Sequence, residues 1–549
     1  MKLLTKITLG AFALPAMQVA AQTTKPNIIL IMTDQQSYNA ISAHADMYGG
    51  SYFSTPNIDR LAKEGLSFTR TYCANPVSVP SRFALFTGMF GGQYGIRENQ
   101  CAEADETEVR AMLAQNGMGA VFNRGGYETY YGGKVHLPFS AKEGKSKFAA
   151  PAGYGFETYF TDDERDGLGV AAGKLIEEKA TQPQTAGSKP FLLVASFLNP
   201  HDICLESSTN LSSEVIGKKE GKKSLITQCV RQMRARAAAI DSVEFYREHA
   251  PELPFNFAKT DGFPDMKKSP YKDFPDWYWR KYRWTYGQLV SLVDSHIGHI
   301  LDALDRHPEL KRNTIIVFTS DHGEMQGAHH TVTKNLPYDE CQRVPFIFCG
   351  RGIAHGERDN SLVCNGTDLL PTICQLAGIP LPAKTDGLSL ADRVLGRGKA
   401  PQRKALYTEG DGFLNVISGT NKYTLFDGKN SGEMYVDLKS DNGELKNIIS
   451  GNEAKAQTLK SFILLEKQKP RSAKVKKEKV DKMVRFLQGK GALMAFFAFL
   501  PAIGEVISIA LGFMRSNIWL TTASMFVGKL IRYILLLYVL ESAWNVVAG

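Results

Sequence analysis

Apolar positions fall into two patterns, continuous runs up to about residue 400 and short alternating segments after Arg403. Residues 26–33 form a continuous apolar run that ends at Asp34, the pattern of a strand buried on both faces of a parallel sheet. Phe191 to Phe197 and Thr314 to Phe318 repeat it, the first ending in Asn199-Pro200-His201-Asp202 and the second in Thr319-Ser320-Asp321-His322-Gly323. Thr55-Pro56-Asn57 before Ile58, Leu61 and Ala62 predicts a helix start, with a capping threonine and proline in the first turn. Apolar residues at helical spacing predict a long helix from about Trp279 to Leu304. Each of the three strands therefore ends in a polar cluster. Open α/β sheets bind ligands beyond the carboxyl ends of their strands, so one shared site is expected there. The stretch 203–275 reads as irregular, an insertion near the site rather than a separate domain. Alternation at Ala405–Tyr407, Lys422–Leu425 and Met434–Val436 predicts a small antiparallel sheet subdomain over 403–465.

Composition narrows the class. Of 549 residues 43% are hydrophobic and 22% charged, which is globular and excludes collagen-like or largely disordered chains. The net charge of +9 suggests nucleic acid until it is located. From Glu466 to the end, 13 basic residues face 5 acidic ones, and Lys2 and Lys6 lie at the start. The body between is near neutral, and no nucleic-acid partner is expected. Residues 1–21 read as a signal peptide, with Lys2 and Lys6, an apolar stretch from Ile7 to Met17, and Val19-Ala20-Ala21 before Gln22. The chain is thus expected to be exported, to a periplasm. Its eight cysteines show neither a disulfide framework nor a CxxC zinc pattern, and their pairing stays open.

The chemistry centres on Ser78-Val79-Pro80-Ser81-Arg82, followed by Thr87-Gly88. Alone, this would be a serine-rich turn opening a helix. It stands, however, in order with Thr55–Ala62, Gly133-Lys134-Val135-His136, Asn199–Asp202, Thr319–Glu324 with Gly327, His329 and Lys334, Val344–Ile347 and Asp368–Thr372. Together these resemble the sulfatase family over about 25–465, in its serine-type, formylglycine-dependent form within the alkaline phosphatase superfamily. The resemblance implies an α/β fold with an alkaline-phosphatase-like mixed, mostly parallel sheet sandwiched by helices. The catalytic domain would span 22–402, with the antiparallel subdomain at 403–465. It also implies that Ser78 is oxidised to formylglycine by a radical-SAM maturing enzyme. A plain serine could attack a sulfate ester, but the serine sulfate formed would have no easy release; a geminal diol can expel sulfate through its second hydroxyl. Cys73 lies five residues too early for that role.

Carried over residue by residue, Asp34, Gln35, Ser78 (as formylglycine), Asp321 and His322 would hold a divalent cation, expected to be calcium. Calcium prefers oxygen donors. Gln35 and His322 stand where many family members carry Asp and Asn, which leaves the set less anionic. Arg82 would stabilise the ionised diol, and Lys134, His136, His201 and Lys334 would surround the sulfate. His201 and Lys334 would serve the leaving group and His136 the release of sulfate. His329 fits the motif, while His330 reads equally well as surface. The implied reaction is sulfate-ester hydrolysis, with a sulfated carbohydrate as expected substrate because of Lys218, Lys219, Lys222 and Lys223 in the insertion. A phosphonate or phosphodiester hydrolase of the same superfamily is the alternative, or a binding protein for sulfated ligands if Ser78 stays unmodified.

Past Leu465 the pattern changes. Residues 466–490 are a basic linker, and 491–549 form a hydrophobic helical tail whose stretches Ala492–Phe513 and Ile518–Leu540 have membrane length. Phe497–Glu505, Gly512, Arg515, Gly528-Lys529 and Arg532-Tyr533 resemble the latter part of DedA-type (SNARE-associated, VTT) membrane proteins, whose first half is absent. The basic cluster favours a cytoplasmic side while a signal peptide exports what precedes it. A membrane-anchored fusion, a gene-fusion or frameshift product, and a helical hairpin on the enzyme all fit; the second is favoured, and the genomic junction near Lys467 discriminates.

Overall fold

Asn27–Asp34 forms strand β1, and every residue of it is buried. Its side chains part in two directions. Ile28, Leu30 and Met32 join one apolar core, while Ile29 and Ile31 join the core on the other face. This double burial is what the continuous apolar run predicts. In chain order the further elements are α1 (Pro56–Glu64), β2 (Leu66–Tyr72), α2 (Ser78–Thr87), β3 (Glu128–Gly133), β4 (Thr158–Thr161), α3 (Leu168–Thr181) and β5 (Phe191–Pro200). They continue with α4 (Ser224–Ala238), α5 (Asp276–Asp305), β6 (Thr314–Ser320), β7 (Phe346–Gly350), β8 (Glu357–Cys364) and α6 (Asn365–Leu376). The last are β9 (Leu406–Gly410), β10 (Phe413–Ser418), β11 (Asn421–Phe426), β12 (Gly432–Asp437) and α7 (Glu453–Gln468).

This architecture comes from a computed structural model that describes residues 25–47, 52–139, 150–182, 188–206, 224–258, 274–427 and 431–468. The chain divides into two units, 1–469 and 470–549, and every described residue belongs to the first. The expected signal peptide, the lysine run at 218–223 and the DedA-like tail lie outside the described residues. Among the described residues, no helix is long and apolar enough to cross a membrane.

Eight strands form one mixed sheet in the order β4-β3-β5-β1-β6-β7-β2-β8. Only β7 pairs antiparallel to its neighbours there, so β3, β5, β1 and β6 all deliver their carboxyl ends to one edge. One face is covered by α2 and α6 through Val79, Phe83, Phe86, Leu369 and Ile373. The other is covered by α3 and α5 through Leu168, Ala172, Val293, Ile297 and Leu301. The stretch expected to be irregular contains a helix, α4. Its Met233 and Ala237 pack with Phe245, Ala250 and Trp284, so it is held on the catalytic unit by α5. The second sheet, β12-β11-β10-β9, is antiparallel throughout and packs under α7 through Leu414, Val416, Tyr423, Tyr435, Leu459 and Ile463. Cys73, Cys341, Cys349, Cys364 and Cys374 are buried thiols.

Candidate active site

Strand ends place the charged groups. Asp34 closes β1, Asp321 and His322 follow β6, and His201 follows β5 after a cis Asn199–Pro200 bond. Lys134 follows β3 at Gly133, whose φ of 84° suits glycine and where a Cβ would meet the Ser196 carbonyl oxygen at 2.2 Å. The Lys134 N–H donates to that same oxygen at 2.8 Å, which ties the turn to β5. Ser78 opens α2, and Arg82 lies one turn on, on the same helix face. Pro80 sits in the first turn, where its missing N–H costs no helical bond.

These residues meet at Asp34. Its Oδ2 accepts from Lys134 Nζ at 2.6 Å, Arg82 Nη2 at 2.9 Å and Ser78 Oγ at 3.4 Å. Arg82, fully buried, also donates from Nε to Asp321 Oδ2 at 2.9 Å and from Nη1 to Ser196 Oγ at 2.8 Å. The guanidinium fork thus spans both carboxylates and fixes their separation. Asp321 Oδ1 accepts the backbone N–H groups of Gln35 at 3.1 Å and His322 at 2.8 Å. His322 Nδ1 lies 3.0 Å from the Gly323 carbonyl oxygen and so must carry the ring hydrogen there. Its Nε2 then presents a lone pair to Ser78 Oγ at 3.1 Å, so the single Ser78 hydrogen is shared between the ring and Asp34; Asp321 Oδ1 lies 3.7 Å and Asp34 Oδ1 3.9 Å from Nε2.

Asp34, Asp321 and His322 form a buried group able to hold a metal ion. Asp34 Oδ1 is buried and accepts no hydrogen bond among the described residues, an unusual state for a carboxylate oxygen. Two carboxylates and one imidazole lone pair facing a common point suit a divalent cation. The charges agree. Burial opposes ionisation of Asp34, but Lys134, His201 and Arg82 outweigh it and hold the carboxyl well below its usual range. Burial and the neighbouring Asp34 push Asp321 up to about 7. Burial, then Lys334, holds His322 neutral.

Lys334 belongs to a second group. Its Nζ donates to Gln35 Oε1 at 2.5 Å, and Gln35 Nε2 donates to Glu324 Oε2. Cys204 Sγ also borders the Gln35 amide, 3.3 Å from Nε2 and 3.4 Å from Oε1. His136 and His201 flank the centre. Desolvation and then Lys134 lower both, His136 to about 3 and His201 well below the ordinary imidazole value. His201 is steadied by the next residue, since Asp202 receives Arg165 in a two-point contact at 3.0 Å each. His329 joins neither group. It stacks on Tyr338 at 3.6 Å, and His330 packs between Phe257 and Trp279.

Several supporting residues escaped the sequence. Glu324 stands in the Asp321–Glu324 motif, but its role there is invisible without the contact to Gln35. Tyr282 and Tyr286, four residues apart on α5, reach Glu324 Oε1 at 2.9 Å and the Gln35 carbonyl oxygen at 2.8 Å. Their spacing is indistinguishable from an ordinary apolar helix face. Ser196, inside an apolar run, gave no signal.

A hydroxyl at a helix start, two buried carboxylates and a ring of cations at the carboxyl edge of an α/β sheet make a hydrolase for anionic esters. The chain belongs to the sulfatase family: residues 26–379 match the family model described as Sulfatase, and the protein is a sulfuric ester hydrolase. It is 30% identical to the delta 4,5-hexuronate-2-O-sulfatase of Bacteroides thetaiotaomicron, over 77% of this chain and 84% of that one. It is 27% identical to the N-acetylglucosamine-6-O-sulfatase of the same organism, over 82% and 87%. Among solved structures, a 2-O GAG sulfatase superimposes with a TM-score of 0.60 at 26% identity, covering 82% of this chain and 94% of that one.

Proposed function

We propose that the protein is an exported sulfatase that removes sulfate from a sulfated carbohydrate, with Ser78 converted to formylglycine by a radical-SAM maturing enzyme and calcium as its cation. The observation that carries this is the Ser78 hydroxyl held between the Asp34 carboxylate and the His322 lone pair. Oxidised and hydrated, position 78 supplies a geminal diol, whose second hydroxyl gives sulfate the exit that a plain serine lacks. Asp34, Asp321 and His322 would hold the cation, which supplies positive charge beside the diol and the sulfate oxygens. Arg82 favours the ionised form of the group at position 78. Lys134 and Lys334 bring positive charge to an anionic ester, and Lys334 and His201 attend the bridging oxygen, where negative charge collects as the S–O bond breaks. His136, held neutral by burial and then by Lys134, would assist the release of sulfate.

The carbohydrate assignment is supported by the two glycan sulfatases named above and by Lys218, Lys219, Lys222 and Lys223 in the insertion. The test is mass spectrometry of peptide Thr71–Arg82 from protein matured in its native host. The expected result is loss of two hydrogens at Ser78 and capture by a hydrazide, with Ser78→Ala inactive. The matured enzyme should cleave sulfated mono- and oligosaccharides faster than matched phosphodiesters. Unmodified serine in native protein would overturn the catalytic assignment and leave a ligand-binding protein. Turnover of aryl sulfates alone would overturn the carbohydrate.

A further inference from the structure

The Gln35 amide is oriented without ambiguity. An ammonium only donates and a carboxylate only accepts, so Oε1 must face Lys334 and Nε2 must face Glu324; the flipped amide would make two repulsive contacts. Both hydrogen bonds carry a full charge on the partner, and such bonds are about twice as strong as neutral ones. Each side-chain polar atom of Gln35 therefore has a charged partner outside the Asp34–Asp321–His322 group.

Glu324 acts on Lys334 by a second route. Its Oε1 accepts the Thr333 backbone N–H at 2.6 Å, the Gln326 N–H at 3.3 Å and the Tyr282 hydroxyl at 2.9 Å. Thr333 and Asn335, the residues either side of Lys334, have φ of 72° and 66°. A β-branched residue in the left-handed region is strained and needs surroundings that hold it there. The Glu324 carboxylate is one such restraint, and the Thr333 carbonyl accepts the Met325 N–H at 3.0 Å as another. One buried carboxylate thus fixes the Lys334 backbone through Thr333 and its ammonium through Gln35. The ammonium keeps two further donors for a ligand.

We infer that Glu324, braced by Tyr282, is a positioning residue that aims the Lys334 ammonium through the Gln35 amide. This rests on the reading that Lys334 attends the leaving oxygen. A lysine aimed at that oxygen matters most when the departing alkoxide is poor and least when it is a stable phenolate.

The experiment measures kcat and KM of matured full-length enzyme on a sulfated sugar and on aryl sulfates of graded phenol acidity, with bound metal and Tm determined in parallel. Lys334→Ala should steepen the dependence of kcat on leaving-group acidity. Glu324→Gln should steepen it in the same sense, with a loss on the order of 100-fold on the sugar sulfate that shrinks across the aryl series. The double variant should be no slower than Lys334→Ala, and metal content should match the unaltered enzyme. Tyr282→Phe, which removes one hydrogen bond and keeps the ring, should show a smaller loss of the same kind and serves if Glu324→Gln does not fold. A uniform loss across leaving groups in Glu324→Gln, full additivity with Lys334→Ala, or loss of metal would overturn the inference while leaving the Lys334 role intact. A flat response in Lys334→Ala would overturn that role instead, and the positioning claim with it.

Discussion

A buried imidazole records the acid side of this protein's stability. His329 is 3% exposed, stacked on Tyr338, and lowered to about 3 by burial and then by Lys422. In the unfolded chain the same ring takes up its proton near 6.5. Between those values the unfolded state binds more protons, so stability is fully present above about pH 6.5 and falls as pH drops toward 3. One such group contributes a loss of about 2 kcal/mol between pH 7.5 and 5. His329→Gln should flatten that decline by a similar amount, read as the difference in urea midpoints at the two pH values. An equal decline in the variant would show that other groups govern the acid limb. His329 fits the family motif that also carries Lys334, yet it takes no place beside that lysine's amide and carboxylate partners. Its left-handed backbone, φ 53°, turns the ring away to Tyr338. A sequence motif does not encode that turn.

Among the elements, β11 departs most from its sequence pattern. Lys422-Tyr423-Thr424-Leu425 alternates as an edge strand does, with lysine and threonine on the solvent side. The antiparallel sheet is instead covered on both faces. Tyr423 lies against α7, while Lys422 and Thr424 face the catalytic unit. Lys422 is fully buried and paired with Asp339 at 2.9 Å and Glu444 at 2.8 Å, and Asp339 in turn accepts the Tyr72 hydroxyl at 3.1 Å. The next residue, Glu340, gives its carbonyl to the Glu324 N–H at 3.1 Å, so the cluster buttresses the segment that follows the metal-binding residues. Removing one partner of a buried pair leaves a charge uncompensated, at a cost of about 3–5 kcal/mol. Lys422→Met should lose stability on that scale in urea denaturation, and adding Glu444→Gln should restore part of it. Strict additivity of the two losses would refute the pairing. By contrast β1, β5, β6, α1 and α5 were legible, because continuous apolar runs and helical spacing follow directly from burial. Strand β3, Glu128-Thr-Tyr-Tyr-Gly-Gly, was not: Gly132 makes room for the Phe160 ring of β4 and Gly133 for the Ser196 carbonyl of β5, needs of packing rather than of any strand preference.

At the scale of the whole molecule the site is a junction between distant parts of the chain. Asp34, Ser78 and Asp321 come from β1, α2 and the end of β6, and Arg82 ties the two carboxylates across the gap. The resemblance to the sulfatase family named these residues, and the strand ends only suggested a shared site; neither could say how the second carboxylate is tolerated. Burial and then repulsion by the neighbouring Asp34 carboxylate raise Asp321 to about 7, while Lys134, His201 and Arg82 keep Asp34 ionised against its own burial. A divalent cation relieves that repulsion only where the three groups are assembled, and binding to the folded state alone stabilises it. Apoprotein prepared by chelation should therefore melt lower than the metal-replete enzyme. Calcium at about 100 times its dissociation constant should restore about 2.7 kcal/mol, and Asp321→Asn should abolish the response. A larger shift with zinc than with calcium would make the His322 nitrogen, and not the carboxylate oxygens, the donor that selects the ion. No shift with calcium, magnesium or zinc would remove the Asp34–Asp321–His322 group from metal binding, leaving the neighbouring cations, Lys134 and Arg82 among them, to compensate the Asp34 charge.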